Sequence, residues 1–314
     1  MYGLDYSAFE EAQRGYRNRS YAVLLKDGRR VNLIVYKREP GVVDRIRRAE
    51  AASRCLSDLG YPVRKLADSR ISRLATGQRE KFAALHNYLP GTTIAWEAYT
   101  AKRIKALGQM MSDFHAAWAG VQLELPDVTD ELTALWERMN MYFADPHVVR
   151  AAADKLGLKI GPHVVGKYQQ LLPAARRLSA KHALHMDFVR GNVLFEGDTI
   201  TGVIDFEKAA NGHPVFDVAR TLAFLLVDCK YKTAPQVRKY FLYSGYHKRG
   251  QAKLPLPKLT SGGQKIELLD ELVNFFLLHD LYKFMRHNVY EGLHQNEHYL
   301  RTVNLLVSRG VVLK

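Results

Sequence analysis

The first third of the chain alternates apolar and polar residues with the short period that is typical of β-strands. Residues 20–25 and 31–36 are β-capable runs separated by the turn sequence Lys26-Asp27-Gly28, and they predict a β-hairpin. Residues 42–59 instead carry apolar residues at helical spacing and end before Gly60 and Pro62, which predicts one helix. A short strand is expected near residues 71–74.

After Leu89-Pro90-Gly91 the spacing of apolar residues changes to that of helices. This sequence is typical of a connection between two lobes. Helices are predicted over residues 101–118, 130–143, 164–178, 215–227 and 265–288. We therefore predict an α+β chain with two lobes. Residues 1–89 would form a small N-terminal β-sheet lobe with one main helix, and residues 90–314 a larger, mostly helical C-terminal lobe.

A second hairpin is predicted within the helical part, with strands at 193–195 and 200–204 around a turn at 196–198. Facing residues then have numbers that sum to about 396, so Asn192 lies opposite Ile204 or Asp205. Asp187 precedes them in the loop. Oxygen-bearing side chains suit Mg²⁺, which binds one or two protein groups together with substrate phosphates. The remaining carboxylate, that of Asp187, could accept a proton from an attacking hydroxyl.

Composition and charge narrow the classes of partner. The chain has 314 residues, is 47% hydrophobic, and carries 46 Lys plus Arg against 32 Asp plus Glu, a net charge of +14. Such a charge favours anionic partners such as nucleotides, nucleic acid or acidic lipid headgroups. The basic residues occur in short groups that are not interleaved with aromatic residues, which indicates a solvated surface and argues against nucleic acid. The two cysteines, Cys55 and Cys229, are expected to be free thiols.

We expect a cytoplasmic protein without a membrane partner. The chain has no apolar run of the roughly 18 to 20 residues needed to span a bilayer, and its first residues include acids where a secretory leader would be basic. The sequence does not indicate an oligomeric state.

The segments HMDFVRGNVLF (185–195) and GVIDFEKAANGHPVFDVAR (202–220) resemble the catalytic core of the aminoglycoside phosphotransferase and choline kinase-like family, which is similar in fold to protein kinases. The resemblance implies a protein kinase-like fold. It also implies transfer of the γ-phosphate of ATP, or of another nucleoside triphosphate, to a hydroxyl of a small molecule with Mg²⁺ as cofactor.

The resemblance also assigns roles to individual residues. Asp187 matches the family's catalytic aspartate, and Asn192 and Asp205 match its two magnesium ligands. His185 matches a histidine that holds the loop, and Asp217 a carboxylate with a structural role.

Four further residues are candidates for binding nucleotide or phosphate. The stretch HNYLPGTTI resembles the strand and hinge that hold adenine, which places Leu85, Asn87 and Tyr88 near the base. Arg190, inside the catalytic loop, could offset charge on the transferred phosphoryl group or could be a solvated loop arginine.

The chain departs from the family at the nucleotide-binding lysine. Ile34 occupies that position, Lys37 comes three residues later, and Glu50 matches the acid that would pair with the lysine. Lys37 and Glu50 therefore remain candidate nucleotide-binding residues. The departure could mean weak catalysis, no catalysis, or a different phosphate anchor, such as Arg190, Arg19 or Arg17. The glycine-rich loop is also reduced to Gly15 in RGYRNRSY.

Two alternatives stay open, and a rival zinc motif is disfavoured. A catalytically weak or inactive nucleotide-binding scaffold is favoured by Ile34 and disfavoured by the intact Asp187, Asn192 and Asp205. A nucleic-acid-binding protein is favoured only by the charge. The sequence His294-Gln295-Asn296-Glu297-His298 fits a zinc motif, H-x-x-E-H, but lacks an evident third ligand, and exposed polar residues explain it better.

The phosphate acceptor is not fixed by the sequence. An aminoglycoside, an amino acid, a sugar or a choline-like alcohol is compatible with it. A protein substrate is disfavoured, because no clear activation segment lies between Asp205 and Asp217.

Overall fold

The computed structural model describes residues 2–10, 13–14, 18–76, 79–179, 181–249, 258–261 and 264–314. The chain forms two compact units. The first comprises Met1–Ile94 and Arg190–Ala209, and the second comprises Ala95–Val189 and Ala210–Lys314. The division into residues 1–89 and 90–314 stays a prediction about domains. The first compact unit continues to Ile94 and also contains the later hairpin segment.

The strands are, in chain order, β1 Tyr6–Phe9, β2 Gln13–Arg14, β3 Arg19–Leu25, β4 Arg30–Tyr36, β5 Leu66–Thr76, β6 Arg79–Asn87, β7 His182–Leu184, β8 Val193–Glu196, β9 Thr199–Val203, β10 Ala210–Gly212, β11 Lys258–Ser261 and β12 Gln264–Glu267. In the first unit an antiparallel sheet has the order β1-β3-β4-β6-β5, with β2 also paired to β3. The predicted hairpin is confirmed as β3 and β4, and the strand expected near residues 71–74 is the middle of β5.

The helices are α1 Val42–Asp58 in the first unit and, in the second, α2 Ala101–Trp118, α3 Val128–Ala144, α4 Pro146–Ala151, α5 His163–Gly166, α6 Tyr168–Arg176, α7 Val215–Asp228, α8 Ala234–Arg238, α9 Leu268–His287, α10 Tyr290–Leu293 and α11 Glu297–Ser308. In α7 and α9 buried residues occur on nearly every face. Such helices form the centre of a core.

Helix α1 packs on one face of the first unit's sheet. Because side chains alternate along a strand, Ile34 and Tyr36 of β4 point to the same face, where they join Val42 and Ile46 of α1 in one apolar cluster. The opposite face carries a separate cluster of Val23, Leu25, Val31 and Leu85. Ile34 is therefore a core residue under α1.

The hairpin of β8 and β9 is joined at two places to the N-terminal segment of the first unit. Thr92 and Phe195 exchange two backbone hydrogen bonds, of 3.1 and 2.8 Å. Val63 forms a parallel bridge with Val203. These bonds explain why the hairpin groups with the first unit although it follows Asp187 in the sequence.

Two of the predicted helices differ from the structure. The helix predicted over 164–178 is two helices, α5 and α6, separated at Lys167. In the short helix α5, Val165 N donates to Pro162 O at 3.2 Å, a bond across three residues that is typical of a 3₁₀ turn. The helix predicted over 265–288 begins instead at Leu268, because residues 264–267 pair antiparallel with β11 as β12.

Two expectations from composition can be compared with the structure. Cys55 and Cys229 are both free, as predicted, and Cys229 is buried while Cys55 is half-buried. Within the described ranges, every helix is too short or too polar to cross a membrane.

Gly108 lies where α2 passes close to the backbone of residues 241–246. A Cβ at this position would overlap the Phe241 carbonyl oxygen and lie 2.8 Å from Tyr246 N. Alanine favours a helix by about 1 kcal/mol over glycine, but overpacking against backbone costs about 1–3 kcal/mol. We therefore expect Gly108→Ala to lower the free energy of unfolding, measured by urea denaturation.

The matched control is Gly292→Ala in α10, where a Cβ meets nothing within 4 Å. This variant should unfold at the same urea concentration as the wild type or a slightly higher one. A Gly108→Ala protein as stable as the control would contradict the close packing of α2.

Candidate active site

The loop that carries Asp187 is held by a buried carboxylate on α7. Asp217, in the first turn of that helix, accepts hydrogen bonds from His185 N at 2.7 Å and from Met186 N at 3.0 Å. Its Oδ2 atom also lies 3.1 Å from His115 Nε2. The helix N-terminus favours a negative charge here. Burial alone raises the pKa of Asp217, but the hydrogen bond and charge of His115, together with His185, bring this pKa below its ordinary value.

This anchoring fixes the local conformation of the loop. Met186 adopts a left-handed conformation, with φ of 58°, which a non-glycine residue rarely keeps unless its surroundings impose it. Asp187 N then donates to His185 Nδ1 at 3.2 Å, and the Thr221 hydroxyl donates to Phe188 O at 3.0 Å. The predicted structural role of Asp217 therefore has a direct geometric basis.

Asp187 is buried and lies beside a buried arginine for which no role was predicted. The Nη2 atom of Arg220 lies 4.0 Å from Asp187 Oδ1. The Arg220 guanidinium also lies over the rings of Phe224, at 4.5 Å, and Phe276, at 5.1 Å. Its Nη1 atom is 3.4 Å from Nδ1 of His279 on α9. A fixed positive charge at this position favours the ionised form of the Asp187 carboxylate.

Sequence reasoning missed Arg220 although it stands in the segment that carries the family resemblance. The available signal was its spacing. It follows Asp217 by three residues on a helix that is otherwise mostly apolar, so both charged side chains lie on neighbouring positions of a buried face.

The predicted pairing at the open end of the second hairpin is confirmed. Val193 faces Val203, so facing residues at this end sum to 396, and Ile204 N donates to Asn192 O at 2.9 Å. A β-bulge between Leu194 and Phe195 lowers the sum to 395 near the turn. Asn192 thus lies opposite Ile204, next to Asp205. Asp205 is exposed and has a left-handed φ of 65°. An amide oxygen and a carboxylate at one strand end are the hard oxygen donors that Mg²⁺ prefers.

Few side chains at this end of the hairpin are candidate ligands for a metal ion. Across the parts of the chain that the structure describes, no group of three or more His, Cys, Asp or Glu side chains could hold a metal ion. Two protein oxygens fit Mg²⁺, which keeps waters and takes further ligands from substrate phosphates. Asn192 and Asp205 belong to the first unit, as does half-buried Arg190, whereas Asp187 belongs to the second.

The structure does not bring Lys37 and Glu50 together. Lys37 is exposed just beyond β4, with its Nζ atom 3.8 Å from Glu39 Oε1. Glu50 forms an ion pair with Arg54 of its own helix and accepts a hydrogen bond from Leu66 N at 2.6 Å. The two residues thus have separate partners, and their nucleotide-binding roles stay predictions.

The candidate residues of β6 and the segment after it differ in their surroundings. Leu85 is buried in the sheet's second apolar cluster. The Asn87 side chain bonds backbone, because its Oδ1 atom accepts from Lys65 N at 2.8 Å and its Nδ2 atom donates to Val63 O at 3.0 Å. Tyr88 is half-buried. Contact of these residues with a base stays a prediction.

Other sequence candidates fall outside this region. Gly15 and Arg17 lie outside the described residues, and Arg19 is exposed at the start of β3. The histidines of the H-x-x-E-H sequence have different partners. His294 Nε2 lies 2.9 Å from Lys155 O, and His298 Nε2 lies 3.1 Å from Asp228 Oδ1.

Comparison with known protein families shows to which of them the chain belongs. The model of the phosphotransferase enzyme family matches residues 8–242, which is 235 of the 314 residues. The chain belongs to this family. The predicted membership, made from two short segments, is therefore confirmed over three quarters of the sequence.

Solved structures support the same fold. The amicoumacin kinase hAmiN, solved with AMP-PNP, Ca²⁺ and Ami, has a TM-score of 0.63 at 16% identity and covers 96% of this chain and 90% of its own. The aminoglycoside phosphotransferase APH(4)-Ia, solved with ADP and hygromycin B, has a TM-score of 0.61 at 15% identity, with 96% and 94% covered. The predicted α+β, kinase-like fold class is confirmed.

Among curated proteins, homoserine kinases match part of the chain. The enzyme of Rhizobium etli is 27% identical over 139 residues, which is 44% of this chain and 40% of that protein. The enzyme of Pseudomonas aeruginosa is 30% identical over 122 residues, with 39% and 36% covered. The chain spans about two fifths of the length of these relatives.

The anchoring role of Asp217 can be tested by Asp217→Asn. Replacing one carboxylate oxygen with an amino group sets donor against donor in a buried site, so we expect the free energy of unfolding at pH 7 to fall by about 3–5 kcal/mol. Urea denaturation measures this value. Asp130→Asn is the control, because Asp130 pairs with Arg176 at 2.8 Å on the surface, where such a change costs at most about 1 kcal/mol. Equal losses in both variants would contradict the anchoring role.

Proposed function

We propose that this protein is an ATP-dependent phosphotransferase that moves the γ-phosphate to a hydroxyl group of a small molecule. The observation that carries the proposal is the loop of Asp187. Two of its backbone N–H groups bond to Asp217, and its buried Asp187 carboxylate lies beside Arg220. The oxygen donors at the open end of the β8–β9 hairpin, Asn192 and Asp205, support it. Family membership supports the reaction class.

In this proposal Asp187 accepts the proton of the acceptor hydroxyl as it attacks the phosphate. Arg220 keeps the Asp187 carboxylate ionised and oriented, so that it is ready to accept that proton. Asn192 and Asp205 would hold Mg²⁺, which when bound neutralises charge on the phosphates. Arg190 is proposed to offset charge on the phosphoryl group.

The acceptor is proposed to be a small hydroxyl compound, and homoserine is the first to test because the matching curated relatives are named homoserine kinases. The solved neighbours are named for antibiotic substrates, which makes a polyhydroxylated antibiotic the second class to test. His279, which reaches Arg220 from α9, is the side chain that we propose for recognition of the acceptor beside Asp187. A cytoplasmic location stays a prediction.

A catalytically weak nucleotide-binding scaffold is the second candidate. The burial of Ile34 at the expected lysine position favours it, since this residue is 7% exposed and packs in the core. The separate partners of Lys37 and Glu50 favour it as well.

Magnesium-dependent ATP turnover, measured with and without a pool of hydroxyl-bearing metabolites that includes homoserine, tests the proposal. We expect a pool member to stimulate turnover, and Asp187→Ala to reduce the stimulated rate by about 10²- to 10⁴-fold because it removes the proton acceptor. Asn192→Ala should raise the magnesium concentration needed for half-maximal rate, because it removes one of two protein ligands.

Glu196→Ala is the control, since Glu196 is an exposed carboxylate at the turn end of the same hairpin. It should leave turnover unchanged. ATP binding without stimulated turnover would support the scaffold, and a rate that Asp187→Ala leaves intact would contradict the proposed mechanism.

A further inference from the structure

The first unit contains a half-buried arginine, Arg64, in a backbone segment that three hydrogen bonds hold in place. Its N–H group donates to Val203 O at 2.9 Å, at the end of the hairpin strand β9. The Asn87 side chain bonds the backbone on either side of it, at Val63 O and at Lys65 N. Arg64 is therefore held between the sheet and the hairpin that ends in Asp205.

The side chain of Arg64 reaches the strand that carries Ile34. We assign the Asn32 amide the orientation in which its nitrogen donates to Tyr21 O at 3.1 Å, and in that orientation its oxygen accepts from Arg64 Nη2 at 3.0 Å. Asn32 precedes Ile34 by two residues on β4, so both side chains lie on the same face of the sheet. The guanidinium group thus lies beside Asn32, the neighbour on this sheet face of residue 34, where the family has a lysine.

One N–H group of Arg64 is unused among the residues that the structure describes. Its Nε atom is buried and makes no hydrogen bond to any of them. Burial lowers the pKa of Arg64, whereas the phenol of Tyr36 and the carboxylate of Asp205 act in the opposite direction. A buried N–H group without an acceptor is costly, and an anionic oxygen would satisfy it.

The neighbouring His86 side chain does not carry a positive charge of its own. Burial and the charge of Arg64 lower the pKa of His86 to about 3, so its ring, 3.0 Å from the Tyr36 hydroxyl, stays neutral at physiological pH. The Arg64 guanidinium is therefore the cation on the sheet face beside Ile34, and the charge of Asp205 acts to raise its pKa.

We infer that Arg64 binds phosphate oxygens of the nucleotide and takes the place of the lysine that is missing at residue 34. This inference rests on the proposed function and deepens it by naming the phosphate anchor. An arginine suits the task because its planar group presents several N–H donors to phosphate oxygens and keeps its charge when buried. The alternative role for Arg64 is structural, in which it only orders Asn32.

The two roles differ in how nucleotide affinity depends on the phosphates. Binding of adenosine, AMP, ADP and ATP, each with Mg²⁺, is measured by calorimetry for the wild type and for Arg64→Met. We expect the variant to bind ATP about 10- to 100-fold more weakly, because a charge-assisted contact is lost, and adenosine within about twofold of the wild type. Arg70→Met is the control, since Arg70 is exposed and pairs with Asp68. It should match the wild type for all four ligands.

Two further variants keep the test decisive if Arg64→Met folds poorly. Arg64→Gln keeps a donor for Asn32 without the charge, and it should show the same selective loss of ATP affinity. Adding I34K to Arg64→Met returns a cation to the family's position, and we expect it to recover at least about tenfold in ATP affinity.

Equal loss of adenosine and ATP affinity would overturn the inference in favour of the structural role, and unchanged ATP affinity in both Arg64 variants would also overturn it. Failure of the proposed function has a different signature. The wild type would then bind nucleotide with a phosphate dependence that Arg64 controls, but no acceptor would stimulate turnover. A wild-type protein that binds none of the four ligands would overturn both.

Discussion

The second unit depends on one buried carboxylate, that of Asp217. It receives two backbone N–H groups from the loop of Asp187 and lies against His115 of α2, whose other ring nitrogen is 2.7 Å from the Tyr246 hydroxyl. One side chain therefore connects α7, α2 and the loop of Asp187. Because the site is desolvated, each of these bonds is strong and each is costly to lose.

Two arginines, one buried and one half-buried with a buried Nε atom, stand apart from the other basic residues of this chain. Arg220 lies near Asp187 in the second unit, and Arg64 lies within the electrostatic reach of Asp205 in the first. Many of the other basic side chains are exposed and, where paired, meet carboxylates at the surface, where water and salt screen them. The net charge of +14 is thus a weak guide to function, and the few desolvated cations are a strong one.

Much of the fold could be predicted from the sequence, because periodicity and turn residues are local signals. Helix α2 begins and ends at the predicted residues, and the turn of the second hairpin lies where it was predicted. The register at Asn192 also depends on a β-bulge between Leu194 and Phe195, which the turn position alone does not give. The strand β12 was predicted as helix because a four-residue strand leaves little periodicity, and its pairing with β11 is a tertiary contact. The same limit applies to the site. Asp187 and Asp217 stand in a recognisable segment, whereas Arg64 resembles any other arginine until its burial is known.

The contacts of Glu50 bear on how activity could be controlled. Its carboxylate is already bonded to Arg54 and to Leu66 N, so α1 is attached to the sheet by bonds that need no nucleotide. In protein kinases a lysine on the sheet must pair with a glutamate on this helix, and movement of the helix switches the enzyme on and off. Glu50 already has these partners without a lysine on the sheet. The position of α1 on the sheet would then be set by the fold itself, before any nucleotide binds.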